Sequence, residues 1–226
     1  MTGHPIPPAI AKIAPDGNLT ARQRRRILIE MSLRKQKPGT GSGREFLRER
    51  TAMNPWPDLR GILQGIPWVI IGGVATRAYM PERATQDMDI LVRDADGQAV
   101  VSRLQQAGYQ VLSQLAVPGL SLRSPEGVEL DVLFGKYPWL DEALARPEQD
   151  RAGYPIIGLP YLVILKMNVT RGRDLGDLTT MLGGADDAAL NRVRDVVARY
   201  SPQDEEDLES LIFIGKKELE IPPDSE

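Results

Sequence analysis

Asp87-Met88-Asp89 sets two carboxylates two residues apart within Thr85 to Val92, a stretch in which polar and apolar side chains alternate. Alternation with period two predicts a strand, on which residues i and i+2 share a face. Both carboxylates then project to one spot while Met88 packs the other way. Adjacent carboxylates repel and desolvate badly unless a cation lies between them, so the pair calls for a divalent metal, Mg²⁺ before Mn²⁺. A lone Asp-x-Asp is equally an exposed strand face with solvated charges. The same spacing in Asp94-Ala95-Asp96 falls just before a helix, where aspartate serves as a cap, and it is assigned no chemistry. A third acid separates the two cases. In Val128 to Phe134, Leu130, Val132 and Phe134 share one face, with Asp131 and Glu129 on the other. If this strand neighbours the first, three carboxylates meet at one edge, the arrangement of two-metal in-line phosphoryl or nucleotidyl transfer.

Two further groups could serve such a centre. Gly72-Gly73 follows the apolar run Trp68-Val69-Ile70-Ile71 and precedes a short helical stretch, so the backbone can approach a ligand closely there. A strand-to-helix turn needs glycine for steric reasons too, and the pair alone does not decide between them. Downstream lie Lys166, Arg171, Arg173, Asp174 and Asp177. Lys166 and Arg173 are two helical turns apart, near one face if the helix continues that far, and Asp174 and Asp177 share a face of the next segment. This cluster offers cations to a triphosphate and acids to orient them, or it is a surface salt-bridge ladder.

Taken together, these residues resemble the nucleotidyltransferase superfamily with the polymerase-β-like fold. The resemblance rests on Gly72-Gly73, thirteen intervening residues, Asp87-Met88-Asp89-Ile90, and Asp131 on a later strand. Arg83-Ala84-Thr85-Gln86-Asp87-Met88-Asp89 is similar to the Arg-x-Thr-x-Asp-x-Asp form of one branch, and Leu165-Lys166 through Leu178 to its second signature. That branch holds small bacterial proteins, including abortive-infection toxins of type IV toxin–antitoxin pairs. The resemblance spans Leu59 to Leu182 and leaves the first fifty residues and the acidic tail outside it. It implies that Asp87 and Asp89 hold two Mg²⁺ ions and that Asp131 helps bind one and activates an acceptor hydroxyl. It implies that Gly72 and Gly73 amides cradle the β- and γ-phosphates, with Arg83, Thr85 and Arg171 also on the nucleotide. Lys166 would neutralise charge on the α-phosphate or leaving pyrophosphate, with Asp174 and Asp177 positioning Lys166 and Arg171. The implied substrate is an NTP. The acceptor would be an RNA 3′ end, a protein side chain or a small molecule such as an antibiotic, and the implied partner a cognate antitoxin protein.

The elements that must position these groups follow from pattern. Thr20 opens a helix to about Lys35, with Ile27, Leu28, Met31 and Leu33 on or near its apolar face. Lys37 to Gly43 is a Gly-rich linker, and Arg44 to Met53 adds a helical turn or two. The core alternates: a strand at Trp68–Ile71, a short helix over Val74–Tyr79, the Asp87/Asp89 strand, and a helix over Ala95–Ala107 closed by Gly108. A hairpin pairs Gly119–Arg123 with Val128–Phe134 across Ser124-Pro125-Glu126-Gly127. Helices then run over Tyr161–Thr170, Leu175–Leu182, Ala188–Tyr200 and Asp204–Glu218. The expected class is α/β (α+β), a small mixed sheet with flanking helices followed by a C-terminal helical bundle. The expected parts are a basic arm and linker (1–43), the α/β core (44–154), and a helical region with an acidic tail (155–226).

Composition narrows the chemistry. With no cysteine there are no thiolate nucleophiles, disulfides or cysteine-held metals, and His4 is the single histidine, so no catalytic triad or histidine-ligated zinc can be built. A cytoplasmic setting is expected, with no membrane partner, because the chain holds neither a secretory leader nor a long apolar span. The net charge of −3 hides an asymmetry. Residues 1–50 carry eleven Lys/Arg against four Asp/Glu, and residues 201–226 carry nine acids against two lysines. The basic segment either follows a phosphate backbone or folds back on the acidic tail. Its few apolar residues and the linker after it predict that residues 1–43 are dispensable for folding. Two other functions stay open on sequence alone: a catalytically idle nucleotide- or partner-binding module, and a nucleic-acid-binding protein working through residues 20–50.

Overall fold

The structure, a computed structural model, describes residues 18–35, 56–81, 85, 87–150, 152–169 and 171–219. Arg83, the Gly-rich linker, the helical turn expected at Arg44–Met53 and the end of the acidic tail lie outside the described residues.

Seven strands form one mixed sheet in the order β3-β4-β5-β2-β1-β7-β6. They are β1 (Trp68–Ile71), β2 (Asp87–Arg93), β3 (Gln110–Gln114), β4 (Gly119–Arg123), β5 (Glu129–Gly135), β6 (Glu148–Gln149) and β7 (Pro155–Ile156). The architecture is the expected mixed α/β class. β1 and β2 run antiparallel, with Ile71 opposite Asp89, while β2 and β5 run parallel in a register that sets Asp89 beside Asp131 and Asp87 beside Glu129. Parallel neighbours need a long crossover, supplied here by helix α3 (Gly97–Gln106) and the β3–β4 hairpin. The inner face of β2 and β5 is Met88, Ile90, Val92, Leu130 and Val132, all fully buried. That burial fixes the register, because a slip of one residue would turn Met88 to solvent and drive the aspartates into the core.

Beyond β7 the chain is helical, and Lys166 lies near its centre. Helix α5 (Leu159–Val169) is apolar on nearly every side, the pattern of a helix enclosed by others. Around it pack α1 (Ala21–Lys35), α6 (Gly172–Gly184) and α7 (Asp187–Tyr200), while α8 (Glu205–Glu218) packs on α6 and α1. α6 and α8 cross with backbones touching at Gly183 and Gly215, where a Cβ on either would strike the facing carbonyl. The four-residue helix α2 (Gly72–Ala75) leads out of β1 and also touches α5, tying the sheet to the bundle.

Several expectations give way. α1 begins at the expected place through a capping box: Thr20 Oγ1 accepts from the Gln23 amide at 3.2 Å, and Gln23 Oε1 accepts from the Thr20 amide at 2.9 Å. Its buried positions are Arg25 and Ile29, however, while Met31 and Leu33 are exposed. Arg25 is only 1% exposed, with its guanidinium bonded to Asp204, Asp207 and the Met167 carbonyl. The basic segment therefore folds back on the acidic C-terminal helix, packing the Arg25 and Ile29 stripe of α1. The helix carrying Lys166 stops at Val169, so Lys166 and Arg173 share no helix face. Asp94 and Asp96 form a 3-10 turn and cap nothing; Asp94 pairs with Lys136 at 3.0 Å and Asp96 with Arg93. Strands β3, β6 and β7 and helix α4 (Leu140–Ala145) are additions to the sequence reading.

Candidate active site

β2 and β5 bring the three aspartates together. Carboxylate oxygens of Asp87, Asp89 and Asp131 all lie within 4.8 Å of one another. Two come from alternate positions of one strand and the third from the matching rung of its parallel neighbour, which is why they share a face. Thr85 donates its hydroxyl to Asp87 Oδ1 at 2.9 Å, orienting that side chain from two residues before the strand.

Asp89 sits at the centre and feels its neighbours most. Its pKa is pushed up to about 7, first by burial and then by the negative charges of Asp87 and Asp131. Lys166 and Arg171 pull in the opposite direction, so both cations lie within electrostatic reach of the carboxylates. On the other side of Asp89 stands Gly72. It has φ of +64, which favours glycine, and a Cβ there would collide with the Asp89 carboxylate. Two requirements thus fall on one residue: the backbone conformation, and room for the acid. Gly73 follows it in α2, where its carbonyl accepts from the Thr76 hydroxyl at 2.7 Å.

Lys166 is brought to this edge by α5 and held there by α6. Its Nζ donates to Asp177 Oδ2 at 2.7 Å and to Asp174 Oδ1 at 3.2 Å, all three side chains being buried. Asp174 also accepts from the Arg171 amide at 2.9 Å, capping the start of α6. An ammonium has three protons, and these two bonds leave one to donate elsewhere. Asp174 and Asp177 therefore orient the lysine. Arg171 is exposed in the break between the helices, and Arg173 points to solvent outside this group.

The donor set decides what can bind. Three clustered carboxylates, one of them strained toward neutrality, make an all-oxygen anionic site, which suits a small hard divalent cation such as Mg²⁺ or Mn²⁺. Asp87, Asp89 and Asp131 are the residues that would hold it.

Two features were beyond the reach of sequence reasoning. Arg25, bonded to the carbonyl next to Lys166, lies in a run of arginines read as following a phosphate backbone or folding back on the acidic tail, with nothing to single it out as the buried one. The collision that reserves Gly72 for glycine depends on the β1–β2 register, which no spacing reveals.

No protein-family model and no curated protein matches the chain. Among solved structures it is similar to ANT(2″)-Ia in complex with adenylyl-2″-tobramycin, at 16% identity over 70% of this chain and 92% of that one, with a TM-score of 0.39. It is similar to the lincosamide antibiotic adenylyltransferase LnuA with lincomycin bound, at 14% identity over 76% of this chain and 99% of that one, TM-score 0.37. A cytoplasmic RNA terminal U-transferase is also similar, at 18% identity over 71% of this chain and 44% of that one, TM-score 0.30.

Proposed function

We propose that this chain transfers a nucleoside monophosphate from an NTP to a hydroxyl acceptor and releases pyrophosphate. The observation that carries this reading is the convergence of Asp87, Asp89 and Asp131 within 4.8 Å, beside a buried, oriented Lys166. In the transfer, the acceptor oxygen bonds to the α-phosphorus, the bond from that phosphorus to the α–β bridging oxygen breaks, and the hydroxyl proton passes to the Asp131 carboxylate. A divalent cation held by the three aspartates supplies Lewis-acid stabilisation of the charge that develops on the transferred group. Lys166 directs its remaining proton at the α-phosphate or the leaving pyrophosphate, held in place by Asp174 and Asp177. Backbone amides at Gly72 and Gly73 receive the β- and γ-phosphates, Gly72 offering an approach that no side chain obstructs. Arg83, Thr85 and Arg171 complete the nucleotide site, Thr85 by aligning Asp87. The order of the two signatures supports a toxin paired with an antitoxin protein, acting in the cytoplasm; among the described residues no helix is long and apolar enough to cross a membrane.

Incubation with each labelled NTP, Mg²⁺ and a cell lysate tests the reading. Label should move to an acceptor with the wild-type chain and with Asp94→Asn, and should not move with Asp89→Asn. Transfer by Asp89→Asn at the wild-type rate would overturn it.

A further inference from the structure

Two guanidiniums are left over by the ion-pair network of the basic helix. Arg25 and Arg26 are engaged by Asp204, Glu206 and Asp207, and Arg22 donates to the Gln203 carbonyl. Arg24, on the same helix, and Arg171, in the break between α5 and α6, form no ion pair or side-chain hydrogen bond with any described residue. Both line one open groove of about 570 Å³, with Leu19, Ile27, Leu28 and Val169 as its apolar walls. The Arg171 amide donates to Asp174, which in turn accepts from Lys166, so the groove opens at the helix break next to the lysine's partners, and Arg171 acts electrostatically on Asp89.

The lining states what fits. Two unpaired guanidiniums repel a cationic acceptor and match the oxygens of a phosphate in a bidentate fork. Leucine, isoleucine and valine walls take the face of a base, and a volume near 570 Å³ is ample for one nucleotide unit. The sequence around α1 is basic as a whole, with eleven Lys/Arg against four Asp/Glu in residues 1–50, which suits a polyanion better than a single phosphate.

Resting on the transfer reading above, we infer that this groove seats the acceptor, and that the acceptor is the end of a single-stranded nucleic acid. A backbone phosphate lies against Arg24, with Arg171 at the boundary that the groove shares with the bound NTP, a base lies against Ile27, Leu28 and Val169, and the terminal hydroxyl faces Asp131.

The test uses the full chain and a fluorescently labelled single-stranded RNA of about twelve nucleotides, long enough to cover one binding unit. Binding is read by anisotropy without NTP, and extension of the same RNA with NTP and Mg²⁺. Arg24→Glu should weaken binding by about tenfold or more and make its salt dependence shallower by about 0.7 for each phosphate that is no longer neutralised. Its loss in extension should fall on the KM for RNA. Arg34→Glu is the same charge change near the other end of α1, outside the groove lining, and should leave both within about threefold because exposed charges are screened there. Equal losses in the two variants mean diffuse attraction and overturn the groove. Displacement of the RNA by a nucleoside 5′-monophosphate at equal phosphate concentration makes the acceptor a small phosphate compound and overturns the strand. RNA extension indifferent to Arg24→Glu, but abolished by Asp89→Asn, removes the groove while leaving the transfer reading intact. Arg24-dependent binding with no extension or labelling from any NTP removes the transfer reading, and the acceptor role with it.

Discussion

Asp89 is the residue on which the proposed chemistry and the stability of this chain meet. Its pKa is raised to about 7 in the fold, against about 4 for an unfolded aspartate. A carboxyl raised in the folded state is comfortable when protonated and costly when ionised. Its favourable contribution is complete below about pH 4 and disappears as the pH rises through about 7. Chelator-treated wild type should therefore lose stability over that interval, and Asp89→Asn should not. By denaturant titration at pH 8 the variant should be as stable as wild type or more so, while its transfer falls by orders of magnitude. Asp94→Asn, a change at an exposed ion pair with Lys136, should alter neither. The same repulsion predicts how ligands couple. Mg²⁺ should bind weakly by itself and at least about tenfold better with an NTP, whose oxygens complete the shell. Calorimetry checks this, and tight NTP binding indifferent to chelator would contradict it. Of the residues in this cluster, the aspartates were legible in the sequence because alternation carries face information. The pairing of Lys166 with Asp174 and Asp177 was legible only in part, since the helix break at Val169 changes which groups face each other.

Among the elements, α1 is the one whose sequence pattern misleads. Its apolar residues spread around the helix, and what α8 selects is the Arg25 and Ile29 stripe, i and i+4, because α8 presents Asp207 there with Asp204 just before it. A guanidinium buried between two carboxylates does not show in a hydropathy pattern. Removing it should be costly: Arg25→Met takes the guanidinium from buried Asp204 and the Met167 carbonyl and leaves Asp207 with Arg26 alone, a loss of about 3–5 kcal/mol by chemical denaturation. Arg26→Ala, at a half-exposed position, should cost little. Because Arg25 holds the carbonyl beside Lys166, its variant should also lose transfer, and Arg25→Lys should restore stability better than activity, one ammonium being unable to reach all three partners. β3 was missed for the opposite reason. At the sheet edge all five of its residues are exposed, so no alternation of burial marks it, and Val111 and Leu112 stand in solvent. β6 and β7 have two residues each, too short to leave any period.

At the scale of the whole molecule, the sheet and the bundle divide the work: β2 and β5 supply the acids, α5 and α6 the oriented cation, and α2 joins the two halves. The broad architecture could be read from the order of patterns, a strand-rich stretch followed by helices. The attachment of the N-terminal segment to the far end of the chain was one of the alternatives that the charge asymmetry left open, because charge totals name the partners without fixing the contacts. The burial of Arg25 and Ile29 argues against the expectation that residues 1–43 are dispensable for folding, and deletion tests it. The deletion strips Arg25 and Ile29 from the bundle, and thermal unfolding should shift well below that of the full chain.

The Arg25–Asp207 contact spans 182 residues of sequence. A ribosome adding about 5–20 residues per second makes Arg25 some ten to forty seconds before its counterion exists. Through that interval α1, fifteen residues long and strongly basic, lacks the packing a helix of its length depends on. The three aspartates and the first five strands are made by residue 135 and the last strand by residue 156, so the sheet can be complete well before then. The nascent chain thus has its carboxylates and the Asp174–Lys166–Asp177 group before it has Asp204 and Asp207, so a product cut short before Asp204 keeps the lysine's own partners and lacks the buried counterions of Arg25, which grips the carbonyl next to it.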